Sequence, residues 1–556
     1  MKLQNTCIKN VRGLVVSEVK VLDCTLRDGG YVVNTIFQDY VIKGIVQKLV
    51  NSNIDIIELG YLKDCTRALG STTCNSLDEM SCFLPSKRNK NTKYAVMVEY
   101  NTLDLSKLTQ KCNSEIDIIR ICFFKKDRFE IFDYVKNIIN KGFEVYLQPM
   151  DTINYNDSEL LELVDITNKL GVSALYIVDS YGSMYEENLE HIYSILNHNL
   201  LNNISIGIHS HNNLQMSFML VQNLIKISKG ERNVIVDASC GGIGRGAGNA
   251  CSELIVDYCN RKLKKDYNID EILDILDSYI SKIQKKHQWG YSTPYFISGK
   301  YSVHVNNISY LLSKHNLKAK DIKFVISQID KDADKRYDYA ELENIIVNYN
   351  STKNRIVDNL DDLRNIFADS HILVCAPGKS ILKESNKIQN YIVENDPIVV
   401  SVNAFIPNLK TDYIFYSNIL RYEYSKEKYP EEFSNVQKIL SSNIKQNSGQ
   451  NEYIVDYYSL IKRGWKFFDN STILCLRLLK NLGVKNISIA GFDGYLLDQN
   501  SGNYVDDEIL FNLSERDKIQ LNKDLSEMLK DFKTKNTDVH IQFITDSLLN
   551  INWIYF

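Results

Sequence analysis

No apolar stretch of this chain approaches the ~20 residues that a membrane span requires. The opening MKLQNTCIKNVRG contains no apolar core of a secretory signal. Neither a membrane span nor export is expected, and a cytoplasmic location is. None of the 12 cysteines forms a CxxC pair; scattered thiols in a reducing compartment read as small buried hydrophobes. The net charge is −4 and the isoelectric point near 6.2. That removes the basic field that would gather nucleic acid or an anionic membrane. There is no internal repeat and no low-complexity tract.

What is present is a chain of 556 residues, 44% hydrophobic and 24% charged. That is ordinary globular composition at a length calling for two or three domains. From 19 to 240, eight short apolar runs recur: VKVLDCTL (19–26), DIIELGYL (55–62), KYAVMVEY (93–100), DIIRICFF (117–124), EVYLQPMD (144–151), ALYIVDSY (174–181), ISIGIHSH (204–211) and VIVDASC (234–240). Each gap between them is long enough for a crossover helix, as in QDYVIKGIVQKLVNS at 38–52. Near-continuous apolar strands alternating with helices predict a parallel sheet covered by helices. Eight units match a (β/α)8 TIM barrel, with an open doubly wound sheet as the alternative. The expected division is a barrel over 1–265, a helical extension over 266–350, a polar linker at 348–354, and a Rossmann-like α/β domain over 355–556.

Polar residues collect at the ends of these runs: Arg27-Asp28, Glu58, Arg120, Gln148, Asp179-Ser180, His209 and His211. In a barrel the C-terminal strand ends meet on one face, where active sites sit. His209 and His211 are two apart on a strand, so both imidazoles face one way. With Asp28 they make a carboxylate and two imidazoles that leave coordination positions open, a set suited to Mn2+, Mg2+, Fe2+ or Zn2+. Beside it, Arg27 is placed to stabilise an enolate or a bound 2-oxo acid. The run GGIGRGAGN at 241–249 lets backbone approach a ligand. Its Asn249 can add an oxygen ligand or orient a histidine.

TLRDGG, IVDSYG, HSHNN and GGIGRGAGN, in that order, resemble the DRE-TIM metallolyase superfamily. Over about 1–300 the chain is most similar to the 4-hydroxy-2-oxovalerate aldolases, pyruvate-specific class II aldolases of the HMGL-like group. The resemblance implies that Asp28, His209 and His211 bind a divalent ion, Mn2+ or Mg2+. It implies that Arg27 stabilises the pyruvate enolate, that Ser180 holds the pyruvate carboxylate, and that Asn249 lies near the metal. Glu58, at its strand end, joins the expected substrate contacts. One departure stands out. Where those aldolases carry a histidine three residues after the motif Asp, thought to act as base, this chain has Tyr31. A phenol with an ordinary pKa near ~10 is a poorer base at neutral pH. The base is then Tyr31, a metal-bound water, or a histidine from elsewhere such as His287.

The acyl-CoA-using branch usually has TLRDGEQ and a GERAGN-like loop. RDGG and GRGAGN favour aldol chemistry over Claisen condensation. The lyase branch that acts on hydroxymethylglutaryl-CoA carries a catalytic cysteine inside the glycine loop; Cys240 precedes it and reads as structural. The expected activity is thus a metal-dependent aldolase joining or splitting a 2-oxo acid such as pyruvate and an aldehyde. The alternatives are an acyl-CoA condensing enzyme or lyase, and a non-catalytic barrel carrying the C-terminal domain. Self-association is left open.

Two further stretches invite a reading. DKDADKRYDYAE at 330–341 spaces its acids like an EF-hand, but Lys335 stands where that loop requires Gly, so a solvated charged loop is expected. HILVCAPGKS, PIVVSVNAF, TDYIFYSN and KNISIAGFDGY are strands with loops of the C-terminal domain. They resemble the Rossmann-like domains of bacterial sialyltransferase-like and pterin-pyrophosphokinase-like families. That resemblance implies a nucleotide or nucleotide-sugar site near Gly378, Ser380, Asn403 and Asp493, and a setting in surface-sugar chemistry.

Overall fold

The computed structural model describes residues 17–86, 89–329, 337–351, 360–406, 408–445, 449–496 and 515–549. Its backbone falls into two compact units, 1–305 and 306–556. The helices expected as one extension are therefore divided between the units. The expected linker at 348–354 begins inside a helix, Tyr339–Ser351. Most of the acidic stretch 330–341 lies outside the described residues.

In the first unit all eight expected strands are present: β1 (Val19–Asp23), β2 (Ile56–Leu62), β3 (Lys93–Glu99), β4 (Ile118–Phe123), β5 (Glu144–Pro149), β6 (Ala174–Asp179), β7 (Ser205–Ser210) and β8 (Val234–Ala238). Every pairing is parallel, each strand lies beside its sequence neighbour, and β8 returns to β1. The β1–β2 pairing, Leu22↔Ile56 and Asp23↔Ile57, completes the ring. A two-residue strand, Thr73–Cys74, adds onto the end of β2. The sheet is thus a closed (β/α)8 barrel, and the open-sheet alternative is excluded.

The crossover helices show why the chain folds this way. Helix Asp39–Asn51 buries Val41, Ile42, Ile45, Val46, Leu49 and Val50, an apolar stripe at helical spacing. Helix Asp157–Leu170 starts on a capping box of Asn156 and Glu159 and ends at Gly171 with φ +67°.

Within the strands the period of two sorts residues between two cores. Val21, Ile57, Val96, Ile119, Leu147, Ile177 and Val236 pack outward against the helices. Leu22, Ile56, Ala95, Ile118, Tyr146, Tyr176 and Ile235 fill the barrel interior. Two residues further along, that inward face carries Glu58, Arg120, Gln148 and Asp237, all almost fully buried. The interior therefore changes from apolar to charged toward the C-terminal face.

Gly207 belongs to this inward face. A Cβ there would lie 2.3 Å from the Tyr176 ring, and the Arg120 guanidinium sits 4.7 Å over that same ring. Gly207→Ala is expected to displace Tyr176 and destabilise the barrel by about 1–3 kcal/mol, the cost of overpacking a filled core. Hydrogen exchange of peptides covering β6 and β7 measures it; unchanged protection would refute the packing argument.

The second unit is a seven-stranded all-parallel sheet. Its strands are β9 (His371–Cys375), β10 (Ile398–Val402), β11 (Tyr413–Tyr416), β12 (Gln437–Ser441), β13 (Glu452–Val455), β14 (Asn486–Ala490) and β15 (His540–Phe543). The order is β13-β12-β11-β10-β9-β14-β15. It reverses direction between β9 and β14, a Rossmann-like topology with a crevice at the switch point.

Candidate active site

Asp28 does not end a strand. β1 stops at Asp23, and a short helical turn, Thr25–Asp28, carries both charged residues onto the barrel face. A helical turn lets neighbours Arg27 and Asp28 point into one recess, which a continuing strand would forbid. Arg27 Nη1 donates to Asp28 Oδ1 at 2.5 Å, and Arg27 Nε donates to Glu58 Oε2 at 2.8 Å. Glu58 is thus spent on holding Arg27 and, through the same oxygen at 2.8 Å, Arg120; its Oε1 is buried with no partner.

Ligand atoms of Asp28, His209 and His211 lie within 4.8 Å of one another, and all three residues are buried. His209 Nδ1 is 3.0 Å from Asp237 Oδ2, which fixes the ring and leaves Nε2 for a ligand. His211 Nδ1 is buried with no hydrogen-bond partner, 3.9 Å from Asp28 Oδ2. Asn249 Nδ2 donates to Asp28 Oδ2 at 2.6 Å and to the Ile243 carbonyl, while its Oδ1 is a further buried orphan. An unpaired buried imidazole nitrogen facing a buried carboxylate is what a divalent cation would satisfy. The donor set therefore fits a divalent cation.

The protonation states agree. Burial alone would raise the Asp28 pKa, but the Arg27 guanidinium and the two imidazoles hold it well below the usual carboxylate range. Burial pushes the His211 pKa down to about 3 despite the pull of Asp28. An anionic oxygen and a neutral nitrogen are the forms that bind metal. Asp237→Asn removes the charge that orients His209. Metal affinity is expected to fall about 10- to 100-fold, read by calorimetric titration with Mn2+; an unchanged affinity would refute that role.

Among the other expected residues, Tyr31 follows the helical turn at the rim, 39% exposed, with its hydroxyl 2.6 Å from that of Tyr61. The Ser180 hydroxyl accepts a hydrogen bond from the Asp151 amide at 2.8 Å. His287 is exposed beyond helix Ser281–Gln284, and its ring contacts none of these groups. Cys240 is fully buried, its thiol 3.6 Å from Asp23 Oδ2, and burial raises its pKa far above the ordinary thiol value. That is a structural cysteine. Arg120 and Asp237 are the links that the sequence reading left without a role. They complete a buried chain running Asp28–Arg27–Glu58–Arg120–Asp237–His209.

In the second unit, Gly378, Asn403 and Asp493 line the crevice at the switch point, together with Asn470, Ser471 and Tyr495. Ser380 is tied to it: its amide donates to Asp493 Oδ2 at 2.8 Å and its hydroxyl to Oδ1 at 2.5 Å. Asn403 has a left-handed backbone, φ +55°, and donates from Nδ2 to Ser471 Oγ at 2.7 Å.

The closed barrel thus carries a carboxylate, two imidazoles and an arginine on its C-terminal face, a candidate metal centre. Residues 18–278 match the HMGL-like family model, a span that takes in all eight strands of the barrel. Curated relatives include an oxaloacetate decarboxylase of Mycobacterium tuberculosis, 26% identical over 247 residues, covering 44% of this chain and 70% of the relative. A 4-hydroxy-2-oxovalerate aldolase of Geobacillus genomosp. 3 is 24% identical over 270 residues, covering 48% of this chain and 77% of that one. Among solved structures, the HMG-CoA lyase of Brucella melitensis superposes with a TM-score of 0.40 at 12% identity, over 48% of this chain and 99% of that one. No helix among the described residues is long and apolar enough to cross a membrane.

Proposed function

We propose that the barrel is a divalent-metal-dependent carbon–carbon lyase that forms or cleaves an aldol bond between a 2-oxo acid such as pyruvate and an aldehyde. The observation that carries this is the convergence of Asp28, His209 and His211 beside Arg27, with the Asn249 amide donating to the Asp28 carboxylate. An ion held there would polarise the carbonyl of the 2-oxo acid. Arg27 supplies the second charge. Its Nε and Nη1 are fixed by Glu58 and Asp28, and Nη2 has no partner among the described residues, so it is free to donate to an enolate oxygen. Tyr31 hands a proton to or from the aldol oxygen. Its hydroxyl lies 2.6 Å from that of Tyr61, whose pKa burial raises far above the ordinary value, so a phenolic proton stays at this pair at neutral pH.

Exchange of pyruvate methyl protons in deuterated water with Mn2+ tests the reading without needing the aldehyde. No metal-dependent exchange would sink it. A second reading is decarboxylation of a 2-oxo diacid, named by the Mycobacterium relative. Tyr31 in place of a histidine base favours it, because loss of CO2 to an enolate needs no base on a substrate hydroxyl. Pyruvate release from oxaloacetate without any aldehyde would select it.

For the second unit we propose a nucleotide or nucleotide-sugar site in the switch-point crevice, Asp493 and Asn403 taking sugar hydroxyls beside Tyr495. Surface-sugar biosynthesis is the setting that would join such a site to an aldolase. A thermal-shift series with CMP, UDP and ATP tests it, and no shift with any of them counts against it.

A further inference from the structure

The glycine loop after β8 carries one side chain that the reaction above does not use. Gly244 leaves no room for a side chain: a Cβ there would lie 2.5 Å from Asp28 Oδ2. The next residue is Arg245, so it borders the metal-ligand cluster, and its charge is felt at His211. Its guanidinium carbon lies 3.7 Å from the centroid of the Tyr31 ring, a cation–π stack that fixes the plane of the group. Nη1 lies 2.6 Å from His304 Nε2, an imidazole nitrogen that brings no negative charge to the guanidinium.

Arg27 is held by Asp28 and Glu58, and Arg120 by Glu58 and Asp237. No carboxylate among the described residues pairs with Arg245, which is half-buried and held in place on two sides. A pre-organised guanidinium with its charge unmet, beside the reacting centre, recognises an anion.

Resting on the aldolase reading, we propose that Arg245 and Tyr31 form the recess for the second substrate, and that this aldehyde carries a carboxylate or phosphate. Its carbonyl carbon meets the enolate carbon at the metal cluster. The new C–C bond forms there as the aldehyde C=O π bond opens, the resulting alkoxide takes the Tyr31 proton, which the proton released in forming the enolate replaces, and the anionic end lies against Arg245. In cleavage the same contact holds the leaving aldehyde. Tyr31 is then both the floor beneath the arginine and the group nearest the new hydroxyl.

The test compares matched acceptors with pyruvate and Mn2+: propanal against succinic semialdehyde, and glyceraldehyde against glyceraldehyde 3-phosphate. For the full-length wild type, kcat/KM is expected to favour the charged member of at least one pair tenfold or more. Whichever pair shows it identifies carboxylate or phosphate. In Arg245→Gln that ratio is expected to fall at least tenfold, and Arg245→Lys to recover part of it. Because the readout is a ratio within one protein, a general loss of activity does not mimic the result. A wild-type ratio near one in both pairs, or a ratio unchanged in Arg245→Gln, overturns the proposal. Pyruvate methyl exchange separates the two levels. If exchange occurs but no charged acceptor is preferred, the anion recess alone fails. If exchange is absent, the aldolase reading fails and the recess falls with it.

Discussion

Asp28→Asn is expected to lower metal-dependent pyruvate methyl exchange by about a thousandfold, the scale on which a lost electrostatic stabiliser counts. The substitution changes almost no volume, so the effect is one of charge and donor direction. Asp28 is 1% exposed, accepts from Arg27 Nη1 through one oxygen and from Asn249 Nδ2 through the other. An amide has only one oxygen. If it serves Arg27, its NH2 meets the NH2 of Asn249, and two buried donors oppose each other. If the amide flips, the same conflict falls on Arg27. Either way the recess loses its anionic ligand, and the two imidazoles alone hold a hard divalent ion poorly. Titration with Mn2+ followed by deuterium exchange measures both losses, with circular dichroism as the check on folding. A variant that binds Mn2+ as tightly as the wild type, or exchanges at more than a tenth of its rate, would remove Asp28 from the ligand set.

Much of this site was legible in the sequence because strand periodicity is strict. The spacing of His209 and His211 fixes a shared direction, and eight apolar runs fix the face on which they emerge. The helical turn Thr25–Asp28 was not legible, since TLRD continues the apolar run without a breaker until Gly29. Nor were contacts made across the barrel. Arg120 meets Asp237 over 117 positions of sequence, and Arg245 meets Tyr31 over nearly twice that gap, so nothing local marks either pair.

In the second unit, three of the seven strands escaped for different reasons. β13 and β15 are four-residue edge strands with half-exposed faces, which leaves little apolar signal. β12 contains Lys438, whose position reads as polar. Its stem is buried while its ammonium donates to the carbonyls of Phe433 and Val436.

The second large effect is expected at Arg120, which touches no substrate in the mechanism above. It is fully buried, donates from Nη1 to Glu58 Oε2 at 2.8 Å and from Nη2 to Asp237 Oδ2 at 2.5 Å, and stacks on Tyr176. Burial disfavours its charge, but Asp237 and Glu58 outweigh that and raise its pKa. Asp237 answers in kind: burial would raise its pKa, and Arg120 with His209 brings it below the ordinary value. Arg120→Met keeps length and apolar contact but takes a guanidinium partner from each of two buried carboxylates, leaving Glu58 to Arg27 and Asp237 to His209 alone. Breaking a buried ion pair from one side costs about 3–5 kcal/mol, so hydrogen exchange in β4 and β8 should accelerate by two orders of magnitude or more. The pH dependence carries the sign. In the wild type the depressed pKa of Asp237 contributes stability above its unfolded value of 3.8, lost as pH falls through the lower folded value. Without the guanidinium, burial moves that folded pKa above the unfolded one, so the penalty grows as pH rises and shrinks on acidification. The gap between variant and wild type should therefore narrow from pH 7 to pH 5. A gap that stays constant would mean that Arg120 acts by filling space rather than by holding the carboxylates that aim Arg27 and His209.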